Sequence, residues 1–269
     1  MIKFWETVDE LVPLFVACTI VSQTIDSIRA LDSQNVLASP LFRQALIVTA
    51  LQSGHEPLVR ALIRHAPTTP PPPETCVFQM RLSSLIDEEG ISAGVWAALV
   101  ATGWALPSSK LALWAASANN GPDGVALLNA IVAAGFDMHA NPMFKETLPS
   151  MALVTGEPEV LEYLFDLYSV TGTNDMLIQA LEFRDNGGVG ILGWLLDTYE
   201  LDVNYMRQGE SPFDTPPEAG DPRDRSEREY AMSQAGTRQK PRTALSAAAI
   251  RGNNEAYEFL LGRGALDNS

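Results

Sequence analysis

The chain has 269 residues, 46% of them hydrophobic, with 18 Lys and Arg against 33 Asp and Glu, a formal charge of −15. That is enough apolar material for a large core, and the length fits one domain, two, or a quasi-continuous stack. The charge argues against a nucleic-acid reader, which needs a basic stripe to displace counterions, and against binding to an anionic membrane surface.

At the N-terminus, Ile2, Phe4, Trp5 and Val8 fall on one helical face, so Met1–Glu10 reads as a terminal capping helix. The apolar run Leu11–Val21 is too short to span a bilayer and follows Glu6, Asp9 and Glu10 rather than a basic region. It reads as a first buried helix. Cys18 and Cys76 are the only cysteines, and no disulfide framework is suggested. These signs predict a protein of an intracellular compartment, cytoplasm or nucleus.

Farther on, ALIVTALQSGHEPLVRALIRHA predicts two helices separated at Gly54-His55. Pro67–Glu74, PTTPPPPE, cannot be helical and predicts an extended polyproline link. Cys76–Leu106 holds a weaker helix pair, and the stretch from Leu111 to Ala140 another. In TLPSMALVTGEPEVLEYLFDL, Pro149 is expected in the first turn of its helix and Gly156 at the turn to the next. LIQALEFRDNGGVGILGWLLDTYELDVNY gives a further pair. Arg207 to Arg242 holds seven basic and seven acidic residues, many prolines and no apolar period, so residues 207–241 are expected to form a flexible insertion. The remaining residues then carry the whole negative charge, which favours a partner with basic or neutral contact surfaces.

The last 27 residues, TALSAAAIRGNNEAYEFLLGRGALDNS, hold a complete helix–turn–helix unit. Thr243 supplies an N-cap oxygen, and Ala247, Ala248 and Ala249 make a face that a neighbour can approach closely. Gly252 and Gly264 are placed to end the two helices in the left-handed conformation. Ala256, Tyr257, Leu260 and Leu261 share one face of the second helix, with Glu255 and Glu258 turned to water. Such a unit cannot bury its apolar face alone.

Thr243, Leu245, Ala248, Ala249, Gly252, Asn253, Leu260, Leu261, Gly264 and Ala265 resemble the ankyrin repeat pattern T-P-L-H-x-A-A…G-H/N…L-L-x-x-G-A-D-V-N. Thr147, Ala152 and Gly156 fit the same frame, as do Ala50, Gly54 and His55, then Ala115-Ala116 with Gly135-Phe136-Asp137, and the closing Asp202-Val203-Asn204. From Gly54 to Gly156 is 102 residues, three periods of 34, which suits this family and not solenoids of period 40 or more. T-P-L-H never occurs intact. The resemblance implies a single all-α ankyrin-repeat solenoid of about seven units over 1–269. It comprises a cap at 1–10, repeats one to six over 11–206, a long loop insertion at 207–241 before the last unit, and the last repeat at 242–269.

Function follows from the same resemblance. It implies a non-catalytic scaffold or adaptor that binds another protein through its concave face and finger loops, with no cofactor, metal, nucleic acid or membrane, and a monomeric state. The alternative is the repeat portion of a larger enzyme or regulatory protein whose chemistry lies on another segment. The variable pairs after A-A give Gln52 and Ser53, Val154 and Thr155, and Ile250 and Arg251 as candidate partner-binding residues. The fingers add Met143, Phe144, Tyr205 and Met206, where Met and aromatic tips suit adaptable contacts. Gly90-Ile91-Ser92-Ala93-Gly94 formally matches a nucleophile elbow, but a helix end precedes it and the only downstream histidine is His139. It reads as an inter-helix turn. His55, His65 and His139 lack metal-ligand spacing.

Overall fold

The computed structural model describes residues 40–64, 76–86, 91–117, 121–182, 184, 187–207 and 243–266. The expected cap at 1–10, the first unit before residue 40, the polyproline link and all of the expected insertion after Arg207 lie outside them. Twelve helices and no strand occur among the described residues. They are α1 (Pro40–Gln52), α2 (Glu56–Arg64), α3 (Cys76–Ser84), α4 (Ala93–Ala101), α5 (Ser109–Ser117) and α6 (Gly121–Ala133). Then come α7 (Phe144–Thr155), α8 (Pro158–Tyr168), α9 (Asn174–Glu182), α10 (Val189–Tyr199), α11 (Ala244–Arg251) and α12 (Asn254–Gly262).

In chain order the helices fall into six successive pairs, and the principal helix contacts run within a pair or to an adjacent pair. The second members stack in one unbroken row, α2 on α4 on α6 on α8 on α10 on α12. The first members form a parallel row, with α1 against α3, and α5, α7, α9 and α11 in sequence. None of these helices exceeds 13 residues, too short to be stable alone in water, so each depends on its neighbours for burial. Small residues sit where the rows approach: Ala112, Ala115 and Ala116 in α5, Ala152 in α7, Ala180 in α9, and Ala247 and Ala248 in α11 are all buried. Larger side chains fill the wider gaps, among them Trp96, Trp104, Phe78 and Phe165.

The two turn types recur. After each second-row helix from α4 onward, one residue takes the left-handed conformation: Gly103, Gly135, Ser169, Glu200 and Gly264. The first four follow one another at 31 to 34 residues. Only glycine adopts this region without cost, so Ser169 (φ 52°) and Glu200 (φ 52°) hold it through the surrounding fold. Two residues beyond Gly135 and Glu200, Asp137 and Asp202 accept hydrogen bonds from the His139 and Asn204 amides (2.8 and 2.9 Å), the same side-chain-closed turn in both places.

Gly156 stands at the turn after α7, as expected, with extended backbone (φ −84°, ψ −168°). It is small because a Cβ there would stand 2.8 Å from the Ala116 carbonyl and from the Ala152 backbone. Two other local expectations are corrected. Pro149 lies well inside α7, since the helix begins at Phe144, and so the Lys145 carbonyl loses its hydrogen bond from residue 149. Ala249 is exposed, unlike Ala247 and Ala248. The corresponding residue of α7, Leu153, is buried because the next pair covers it, and the described chain has no pair beyond α12.

The expected features of the last unit are present. Thr243 caps α11 in a reciprocal box with Ser246: its hydroxyl accepts from the Ser246 amide (3.1 Å) while the Ser246 hydroxyl accepts from the Thr243 amide (3.0 Å). Gly252 and Gly264 are left-handed (φ 69° and 91°). Ala256 and Leu260 are buried, and Glu255 and Glu258 face water.

Candidate partner-binding face

The face is built on the first-row helices and the loops that precede them. Three of the sequence-derived pairs close such helices. Gln52, the last residue of α1, and Ser53 after it are exposed, and Ser53 donates from its hydroxyl to the Thr49 carbonyl (2.8 Å). Val154 is half-buried and Thr155 exposed at the end of α7, and Thr155 likewise donates back to the Met151 carbonyl (3.0 Å). Ile250 is 53% exposed and Arg251 half-buried at the end of α11.

Of the finger residues, Met143 and Phe144 lie at the other end of α7, and Tyr205 and Met206 in the loop after α10. Met143 is 61% exposed immediately before α7, and its amide donates to Asn141 Oδ1 (3.1 Å). Met206 is 52% exposed, with Tyr205 half-buried beside it. Phe144 is a correction: it is only 4% exposed, tilted against Phe136 with ring centroids 6.4 Å apart. As the first residue of α7 it faces the core, and Met143 alone forms the tip. Twelve residues of α7 separate Met143 from Thr155, about 18 Å at 1.5 Å per residue, so the two candidate sets are not one patch.

Between them run two clefts that the sequence reading did not identify. The larger, about 390 Å³, lies between α7 and α9 over an apolar floor of Leu153, Phe165, Val170 and Met176, with Glu146, Ser150 and Gln179 on its walls. The smaller, about 320 Å³, is at the loop end, between His139, Asn141, Pro142, Leu167, Tyr168 and Ser169. Lys145 borders both. The loop beside the smaller cleft is fixed by Tyr168, whose hydroxyl donates to the Met138 carbonyl (3.0 Å) and whose ring meets His139 edge-on at 5.3 Å. Burial, reinforced by Tyr163 and Asp137, raises the Tyr168 pKa, so this hydroxyl stays a donor. The signal available in the sequence was charge: Lys145 is the sole Lys or Arg between Lys110 and Arg184.

Beyond the larger cleft, Gln179 donates to Asp175 (2.7 Å), and Arg207 pairs with both Asp175 and Glu182. The hydrogen bond to Asp175, followed by that to Glu182, raises the Arg207 pKa against the opposing effect of burial. Arg207 therefore belongs to the folded stack, not to the insertion in which the sequence placed it.

At the far edge, polar side chains stitch the turns between helix pairs. Arg184 Nη2 donates to the Gly156 carbonyl (2.8 Å), and burial lowers its pKa despite the nearby Glu157. Asn253, 1% exposed, caps α12 through Oδ1 while its Nδ2 donates to the Gly187 carbonyl (2.9 Å) of the preceding pair. His55 has an equivalent local role: its Nδ1 accepts from the Leu58 amide (3.2 Å) at the start of α2.

Ser92 precedes α4 with extended backbone, and its hydroxyl is buried with no hydrogen-bond partner among the described residues. Its backbone amide donates to the Glu56 carboxylate at the start of α2. Among the described residues, no group of three or more His, Cys, Asp or Glu is arranged to hold a metal ion, and no helix is long and apolar enough to cross a membrane. No family model matches the chain, and no curated protein and no solved structure is significantly similar to it.

Proposed function

We propose that the chain is an ankyrin-type repeat solenoid and acts as a non-catalytic scaffold, binding another protein along its first-row helices and their loops. The observation that carries this reading is the two-row ladder, in which the principal contacts of each helix pair are with adjacent pairs. A ladder of that kind leaves one continuous surface of loops and helix ends, and here the surface carries exposed Met143, Met206 and Ile250. The recurring left-handed residue at 31 to 34 residues supports the ankyrin period over longer ones. The charge of −15 favours a partner with a basic or neutral contact surface.

Two measurements test the proposal. The solenoid requires a radius of gyration above the roughly 18 Å of a compact domain of this length, and a spherical X-ray scattering profile would refute it. For binding, a photo-cross-linking amino acid at position 143 identifies a partner, which is then purified and titrated by calorimetry. Met143→Asp combined with Met206→Asp should weaken that stoichiometric complex at unchanged melting temperature. An undiminished affinity would remove the loop face from the binding surface.

A further inference from the structure

The junction of the two clefts is the most distinctive point on this surface. Lys145 stands there as the sole Lys or Arg in a stretch, from Leu111 to Phe183, that holds nine Asp and Glu. Glu146 lines the same larger cleft, yet the Lys145 ammonium makes no ion pair or hydrogen bond among the described residues and stays available to a ligand. Four residues along, Pro149 borders the same cleft and deprives the Lys145 carbonyl of its helical donor. Lys145 thus offers a cation at the mouth of a trough floored by Leu153, Phe165, Val170 and Met176.

We propose that this junction binds an extended peptide segment of the partner, holding a side-chain carboxylate on Lys145 Nζ and the adjacent large apolar side chain in the cleft between α7 and α9. The inference rests on the protein-binding reading and specifies where and what it binds. The surrounding acids decide the ligand class. A phosphate, a nucleic acid or an anionic lipid would bring several negative charges into a strongly negative field. A single carboxylate on an otherwise basic peptide gains the one local cation, while the basic flanks are drawn in by the long-range negative field.

The test is an array of octapeptides with Lys-rich flanks, the fourth position set to Leu, Phe, Met or Ala and the fifth to Glu, Asp, Gln or Lys. Peptides with a free C-terminal carboxylate directly after the apolar residue form a separate arm. Wild-type protein should retain Leu, Phe or Met followed by Glu or Asp, and reject Ala at the apolar position. Lys145→Glu should lower affinity for those peptides by about tenfold or more and favour Lys at the fifth position. Lys145→Arg should preserve the original preference. Far-UV dichroism of the variants should be unchanged, because Lys145 is exposed.

Equal binding of the Glu and Gln peptides would overturn the inference, as would a preference that survives Lys145→Glu or one confined to free C-termini. Absence of any binding peptide would overturn it too. The protein-binding reading stands or falls separately, on the cross-linked partner and its calorimetry.

Discussion

Phe144 and Met143 are neighbours in the chain and opposites in the structure, one 4% and the other 61% exposed. Both are large, apolar and at the same loop–helix junction, so composition could not separate them. The separation follows from where α7 begins: its first residue already points inward, against Phe136. Phe144→Ala should therefore cost about 3–5 kcal/mol, the usual range for emptying a buried aromatic site. Met143→Ala should change stability by less than about 0.5 kcal/mol. Urea titrations of the two variants decide this, and matching midpoints would mean that α7 starts elsewhere. Lys145 and Pro149 extend the same lesson: each is ordinary in sequence, and only their joint position on one helix makes a cleft mouth.

Helix pairs were legible wherever the sequence carried a periodic apolar face with a glycine or capping residue, as in Thr243–Gly252–Gly264. The helix ends at Ser169 and Glu200 carried no such mark, because the fold and not the residue type imposes their left-handed backbone. Gly156 carried the mark for a different reason, the approach of the Ala116 carbonyl. Burial of the small faces is testable at α11. Ala248 is 0% exposed between α9 and α12, so Ala248→Trp should overpack the site and cost about 1–3 kcal/mol or more. Exposed Glu258→Ala should cost less than about 0.5 kcal/mol. Equal losses would mean that the inward faces of α11 and α12 are misassigned.

The interface between α8 and α10 makes a prediction of its own, in pH. Phe165 meets Trp194 edge-on at 5.4 Å, and Trp194 meets Tyr199 at 5.5 Å. Burial raises the pKa of Tyr163, Tyr168 and Tyr199 above the ordinary value of 10.0, and Asp166 and Glu162 add to the shift at Tyr199. A raised folded-state pKa means that the unfolded chain releases its phenolic protons first as pH rises. The stabilisation is thus complete below about pH 10 and is lost progressively above it, as pH climbs toward the folded-state values. Thermal melts from pH 8 to 11 should show a constant melting temperature and then a fall, with phenolate absorbance lagging in the native state. A melting temperature that rises above pH 10 would contradict the burial of these rings.

At the scale of the whole molecule, the question is whether the stack is continuous across residues 208–242, which separate the last helix pair from the rest. Three sets of side-chain links join that pair to its predecessor directly. On the loop side, Asn204 donates to the Gly264 carbonyl (3.2 Å) and accepts from the Leu266 amide (2.7 Å). At the turn, Asn253 donates to Gly187 (2.9 Å). Along the second row, Arg263 grips Asp197 with two hydrogen bonds (2.7 and 3.2 Å), and Phe259 packs against Gly193. Underneath, α11 rests on α9 and α12 on α10. None of these contacts involves residues 208–242, and Arg207 is already held by Asp175 and Glu182. Replacing 209–240 by a short Gly/Ser linker that spans Arg207 to Thr243 should leave one cooperative melt with most of its stability, since loop length changes the closure entropy only slowly. The cut must spare Arg207. Extending it to Arg207→Ala removes one partner from two carboxylates and should lower the melting temperature further than the linker alone. A split transition, with α11 and α12 melting first, would mean that the deleted residues supply contacts that hold the last pair in place.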